Sequence, residues 1–301
     1  MKNILFAFVA ISLVSCGDEL GNGINFTAPS TVGLAYVPND VKYIDIYSNL
    51  RQTLVDIPTI KIEAEVDHAK NAQSIGKELP GTGVLFFGNP TVGTPLMTAN
   101  RLAGLDLPQR MLVYKNEEDV TFIAYNTQAY TGNRYGITGT PALSKAARVL
   151  DSIALSATGS IVLETQSGTI AENDGIKIVV SKNKFSLTYN KLREAIRTGP
   201  FNIIAAVNHS SNAASVGMDL QPTRVIIFGN PVLGTPLMQN ERTIALDLPH
   251  KMLVYEDGDV VKIAYNDPYF LASRHNLEGN AEQISTIAET LENLANTAAS
   301  N

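Results

Sequence analysis

The segment Gly88-Asn-Pro-Thr-Val-Gly-Thr-Pro-Leu-Met97 returns 141 residues later as Gly229-Asn-Pro-Val-Leu-Gly-Thr-Pro-Leu-Met238. The likeness spreads outward from it: Val84–Tyr114 set against Val225–Tyr255 gives 19 identities in 31 positions. A repeat whose period is the size of a domain, not of a 20–50-residue solenoid unit, means two copies of one globular module. A chain of 301 residues holds two such modules, each long enough to bury its own core.

Each copy reads the same way. Val32–Tyr36 and Gly175–Val180 alternate apolar residues as strands do. Helices follow, with Tyr47, Leu50 and Leu54 in one and Tyr189, Leu192 and Ile196 in the other on a single stripe. Ile60–Asp67 and Asn202–Asn208, then Val84–Phe87 and Val225–Phe228, are strand-like, and each second strand ends at a Gly-Asn-Pro turn. Thr94-Pro95 and Thr235-Pro236 resemble an N-cap with proline at the first helical position, which predicts a short helix starting there. Met111–Tyr114 and Met252–Tyr255 pair through hairpins with Val120–Tyr125 and Val260–Tyr265. A last helix carries Leu143, Ala146, Ala147, Leu150, Ile153 and Ala154; its partner carries Ile284, Ile287, Ala288, Leu291, Leu294 and Ala295 at identical spacing. The fold class is α+β: strand, helix, four strands, helix, twice, with antiparallel sheets and the helices on one face.

The first residues belong to neither copy. Lys2 precedes an apolar run, Ile4 to Val14, which has the length of a signal peptide and is too short to span a bilayer. The run closes on Leu13-Val14-Ser15-Cys16, which resembles the lipobox of bacterial lipoproteins, where the cysteine is diacylated and becomes the new N-terminus. Cys16 is the sole cysteine, which excludes an intramolecular disulfide or a thiolate metal site. The expected layout is a signal peptide over 1–15, a Gly/Asn/Ser-rich flexible tether over 16–31, a first module over 32–156, a linker over 157–173 and a second module over 174–298. A short apolar patch in the linker, Ile161–Leu163, is a candidate to dock on one module. Location in a bacterial cell envelope, held to a membrane through lipidated Cys16, follows from that reading.

A net charge of −6 and a pI near 5.3 argue against nucleic acid, whose phosphates demand a basic face. Gly88-x4-Gly93-Thr94 and Gly229-x4-Gly234-Thr235 have the glycine spacing of a phosphate loop but lack its lysine, so no nucleotide is expected. A helix N-terminus with exposed backbone N–H groups leaves room for some other anion.

Asp67-His68-Ala-x-Asn71-Ala and Asn208-His209-Ser-x-Asn212-Ala, the Gly-Asn-Pro-x-x-Gly-Thr-Pro-Leu-Met segments, Leu-Asp-Leu-Pro, Met-Leu-Val-Tyr and the tail Tyr265–His275 together carry a resemblance. They resemble the bacterial domain-of-unknown-function family 302, over nearly all of both modules. The resemblance implies a fold similar to that of the TATA-binding protein and supplies no activity. The first module departs from the pattern with Tyr135 where the second has His275, and with Thr127-Gln128 in place of Asp267-Pro268. The second module is therefore the more complete copy and the expected functional one.

The recurring polar residues define two expected pockets. His68, Asn71, Asn89, Thr94 and Asp106 form the first; His209, Asn212, Asn230, Thr235, Asp247, Arg274 and His275 form the second. Each histidine ends a strand, with a backbone-bonded imidazole as the plainer alternative. His68 with Met97, and His209 with Met238, offer a soft metal ion such as copper only two ligands. Asp106 and Asp247 stand one residue before Leu-Pro, where a carboxylate commonly organises a turn. No nucleophile elbow and no His-Glu-x-x-His occurs. The expectation is a binding or interaction module without cofactor, whose partner is a small molecule or an envelope protein. A metal-dependent or hydrolytic enzyme centred on the histidines is the alternative.

Overall fold

The computed structural model describes residues 18, 19, 24–166 and 168–301. The signal peptide and Cys16 lie outside the described residues. A two-residue pair, β1 (Asp18–Glu19) and β2 (Asn25–Phe26), precedes the first module. That module runs β3 (Leu34–Asn39), α1 (Tyr43–Val55), β4 (Lys61–Asp67), α2 (His68–Ser74), β5 (Thr82–Gly88), α3 (Pro90–Ala99), a 3-10 helix (Arg101–Asp106), β6 (Gln109–Lys115), β7 (Thr121–Asn126), α4 (Gln128–Arg134) and α5 (Pro141–Thr158). After β8 (Leu163–Glu164) the series repeats: β9 (Ile176–Val180), α6 (Phe185–Thr198), β10 (Asn202–Asn208), α7 (His209–Ser215), β11 (Thr223–Gly229), α8 (Pro231–Asn240), a 3-10 helix (Arg242–Leu246), β12 (His250–Asp257), β13 (Val260–Asn266), α9 (Pro268–Arg274) and α10 (Ala281–Ala299).

Both sheets are antiparallel, in the orders β4-β5-β6-β7-β3-β8 and β10-β11-β12-β13-β9. The apolar linker patch docks on the first module, where Leu163 pairs with Tyr36. The first strand begins at Leu34, after Gly33 has turned the chain at φ 67°. The segment expected to be a tether to residue 31 is already packed within the described residues. Phe26 is 2% exposed against Tyr36 and Phe122, and the Thr31 hydroxyl bonds that of Thr243 at 2.7 Å.

The middle strands are apolar on both faces because each sheet is covered twice. In the first module Leu85, Phe87, Met111, Val113, Ile123 and Tyr125 pack on α1 and α5. Val84, Phe86, Leu112, Tyr114, Phe122 and Ala124 face the other way. That second face receives the 3-10 helix of the second module, while the first module's 3-10 helix lies on β11, β12 and β13. Helices α3 and α7 meet across the same boundary, as do α2 and α8. The expectation of helices on one face is correct for each module alone; the opposite face is closed by its neighbour. The two copies are related by an approximate twofold exchange of surfaces.

The turn chemistry corrects one local reading. The helix after each Gly-Asn-Pro turn starts at Pro90 and Pro231, so Asn89 and Asn230 are the N-caps and Pro95 and Pro236 lie inside the helix. Asn89 Oδ1 accepts from the Thr91 N–H at 3.0 Å and Asn230 Oδ1 from the Val232 N–H at 2.9 Å. Asparagine is among the strongest cap residues and proline fits the first helical position, so the earlier Asn-Pro outcompetes Thr-Pro.

Candidate functional site

Two concavities open between the modules, and each is built from both. The larger, about 210 Å3, is lined by Asn89, Thr94 and Met97 of the first module and by His209, Asn212 and Ser215 of the second. The smaller, about 140 Å3, is lined by Asn230, Thr235, Met238 and His250 of the second and by His68 and Asn71 of the first. The expected grouping of each histidine with the Gly-Asn-Pro turn of its own module is therefore corrected. His68 and Asn71 stand with Asn230 and Thr235, whereas His209 and Asn212 stand with Asn89 and Thr94. The reason is topological: α2 and α7 each cap a strand at the module boundary, so their first residues project toward the neighbouring copy. The His–Met pairing exchanges in the same way, Met97 with His209 and Met238 with His68.

Asp67 and Asn208, which differ between the copies, do the same work. Each caps the helix that begins with its histidine, accepting from the Lys70 N–H at 2.9 Å and the Ser211 N–H at 3.1 Å. The rings behind them are buried, His68 at 4% and His209 at 5% exposure. Burial lowers both to about 4, so both imidazoles are neutral at pH 7. The Leu248 and Ala245 carbonyls approach the His68 ring and the Leu107 carbonyl that of His209. Nε2 of each ring nevertheless lacks a hydrogen-bond partner of acceptable geometry, as do the buried Oγ1 atoms of Thr94 and Thr235. Four orphaned polar atoms thus belong to residues lining the two pockets, two to each. Buried polar groups are ordinarily satisfied, so their concentration here calls for a reason.

At the start of α3 and α8 the backbone donors are already used within the protein. Pro90 has no N–H, Thr91 N–H is capped, and the Val92 and Gly93 N–H groups bond the Asn89 carbonyl, both at 2.9 Å. The second copy repeats this at Asn230. No donor of the first turn is left over.

Asp106, Asp247, Arg274 and His275 line neither pocket, which corrects their assignment to it. They belong to a charged cluster buried between the modules. Asp247 accepts from Arg274 Nη1 at 2.6 Å, from His275 Nε2 at 2.9 Å, and from Arg110 of the first module. Asp106 accepts from Arg110 Nη1 at 2.9 Å and from the Tyr135 hydroxyl at 2.7 Å, with Lys251 of the second module at 3.5 Å. Arg134 reaches across to the Asp174 and Gly175 carbonyls and Asn266, and Arg274 reaches back to the Val32 carbonyl and Asn126. Arg274 also lies 3.8 Å from the centroid of the Tyr130 ring.

Burial alone would raise Asp106, but Arg110, Lys251 and Arg134 outweigh it and hold the carboxyl well below its usual range. Asp247 is likewise held low against burial by Arg274, Arg110 and His275. With two carboxylates facing three guanidiniums, a further cation is surplus, and burial together with Arg110 lowers Lys251 to about 7. Since Asp247 is an acceptor and burial keeps His275 neutral, Nε2 carries the proton and Nδ1 accepts from Thr243 or Thr31.

The departures of the first module lose their force here. Tyr135 and His275 each give a hydrogen bond to the aspartate of their own module. Thr127 and Asp267 each cap the following helix. The second module therefore has no advantage from its tail, and the larger pocket belongs to the Gly-Asn-Pro turn of the first. Sequence reading missed Arg110, Lys251, Arg134, Tyr130, Asn126 and Asn266. The available signal was repetition: Arg134 and Arg274, Asn126 and Asn266, and the cations Arg110 and Lys251 recur at the module period.

Among the described residues no group of three or more histidine, cysteine or acidic side chains could hold a metal ion, and no helix is long and apolar enough to cross a membrane. Proteins named fluoride-specific ion channel FluC 1, from Brucella suis biovar 1 and from Brucella abortus biovar 1, are 41% identical to this chain over 106 residues. The match takes in 35% of this chain and 42% and 39% of those proteins, so the chain spans less than half the length of these curated relatives. A crystal structure described as an uncharacterized conserved protein DUF302 from Bacillus stearothermophilus aligns with 42% of this chain and 98% of its own, at 19% identity and a TM-score of 0.38. The family profile described as domain of unknown function DUF302 matches residues 36–153 and again 177–298. The chain belongs to the DUF302 family and carries two tandem copies of its domain.

Proposed function

We propose that this protein is a ligand-binding module, held on a bacterial envelope membrane through lipidated Cys16, and not an enzyme. The observation that carries the binding reading is the pair of composite pockets, each lined by apolar walls and by histidine, asparagine and threonine residues drawn from both modules. Concave, mostly apolar sites with a few polar groups are the usual form of a small-molecule pocket. The charged cluster is enclosed and its carboxylates are fully engaged by cations, with Tyr130 Oη and Asn266 Nδ2 left unpaired at its edge, so it serves as the joint that holds both pockets in register. The lipoprotein reading rests on Leu13-Val14-Ser15-Cys16 alone.

Native mass spectrometry of the purified protein tests the binding reading: a retained small molecule lost in His209→Ala and His68→Ala supports it. Stoichiometric copper or zinc lost in the same variants would replace it with the metal reading. Cys16→Ala should release the protein from membranes and abolish acyl labelling. Unchanged membrane retention without label would remove the anchor from the account.

A further inference from the structure

Strand β9 is left bare where its counterpart is covered. Leu34 of β3 stands opposite Asn126 and Ile176 of β9 opposite Asn266, so the strands correspond residue by residue, and Tyr36, Val37 and Pro38 match Ile178, Val179 and Val180. In the first module the outer side of β3 is occupied. Strand β8 pairs with it, the Thr165 N–H bonds the Leu34 carbonyl at 2.9 Å, and Phe26 packs on Tyr36. In the second module β9 ends the sheet, and among the described residues none pairs with its outer side.

That edge is apolar and its backbone is aimed outward. The Asp267 N–H bonds the Gly175 carbonyl and the Ser181 N–H bonds the Val261 carbonyl, which turns the odd-numbered residues of β9 toward β13. Ile178 and Val180 therefore point their N–H and C=O groups away from the sheet. Their side chains, 44% and 59% exposed, share a face with Val260 at 41%, whereas the matching Tyr36 and Val120 are 5% and 6% exposed. Sheet edges are ordinarily blunted by proline, by charge or by a covering segment. Strand β3 has Pro38 and β8. The charge on β9, Lys177, lies on the other face and is held by Asp267 at 3.1 Å.

The strand is also complementary to itself. Set antiparallel to a second copy and centred on Ile178, it places Ile178 opposite Ile178, Ile176 opposite Val180 and Lys177 opposite Val179, so no like charges meet. Such a twofold contact closes on itself, fuses two five-stranded sheets into one and leaves neither edge bare. We propose that β9 pairs with β9 of a second copy of this chain, making a dimer whatever the pockets hold. The paired strands are short beside the about 1,200 Å2 buried in stable complexes, so the dimer is weak and reversible.

Sedimentation equilibrium of the full chain, from low to high micromolar concentration, tests this. Cys16→Ala is carried throughout so that neither an acyl chain nor a disulfide joins copies. The expected result is a monomer–dimer equilibrium, with amide exchange at Ile178 and Val180 slowing as concentration rises. Val180→Pro reproduces the proline that β3 already accommodates and removes an outward N–H, while Ile178→Lys sets like charges opposite each other. Each should weaken dimerisation at least about tenfold and leave the thermal transition in place. A chain that stays monomeric throughout overturns the proposal, as does a dimer that Ile178→Lys leaves unweakened. Should Val180→Pro fail to fold, Ile178→Lys, at an exposed position, decides alone.

Discussion

Replacing Asp247 by asparagine tests whether the buried charges join the modules. The substitution keeps the side-chain shape and removes a carboxylate that accepts from Arg110, Arg274 and His275, with Asp247 itself 1% exposed. Hydrogen bonds to a charged group contribute about 1.5–3 kcal/mol each, and the asparagine oxygen retains part of one or two of them. The amide also turns an N–H2 toward donors and leaves the excess of guanidinium charge uncompensated. Breaking a buried pair from one side costs about 3–5 kcal/mol, which is the loss expected here. That is a large fraction of the 5–15 kcal/mol typical of a folded domain. Urea unfolding followed by circular dichroism reads it as a lower midpoint at unchanged slope. Arg51→Ala, which breaks the half-exposed pair with Glu65, serves as the comparison and should stay within about 0.5 kcal/mol. A loss below about 1 kcal/mol for Asp247→Asn would refute the view that this cluster carries the inter-module contact.

Two further outcomes follow from the same geometry. His68, His209 and His250 are each lowered to about 4 by burial, so between that value and the free value near 6.5 the unfolded chain binds more protons than the folded one. Stability is therefore complete above about pH 6.5 and falls as pH drops toward 4, by up to about 3 kcal/mol per histidine; a thermal midpoint that is flat from pH 7 to 5 would contradict the burial of these rings. Asn89→Ala removes the acceptor for the Thr91 N–H and hydroxyl, and should cost about 1 kcal/mol in denaturant unfolding while leaving module pairing intact.

The module itself was legible in the sequence because its signals are local. Short unbroken apolar runs mark Val84–Phe87 and Met111–Tyr114 as strands, and the Leu143–Ala154 and Ile284–Ala295 stripes mark helices, all within a few turns of chain. The helix start at Asn89 was misread because two cap-proline pairs compete within six residues, and the hydrogen-bonded choice appears only when the turn is built. The polar residues of the pockets were visible too, since His68, Asn71, Asn89 and Thr94 recur together.

Which of them meet was decided by tertiary structure alone. A repeat states that two surfaces are alike, yet it is silent on whether a residue faces its own copy or the other, because both arrangements share one sequence. The packing resolves this: each sheet is apolar on both faces, each module has helices for only one, and the second face can be closed only by the neighbour's 3-10 helix. That exchange carries His209 to Asn89 and His68 to Asn230. It also draws Arg110, Arg134, Lys251 and Arg274 out of water, where composition would place them, because two aspartates sit on the boundary to receive them.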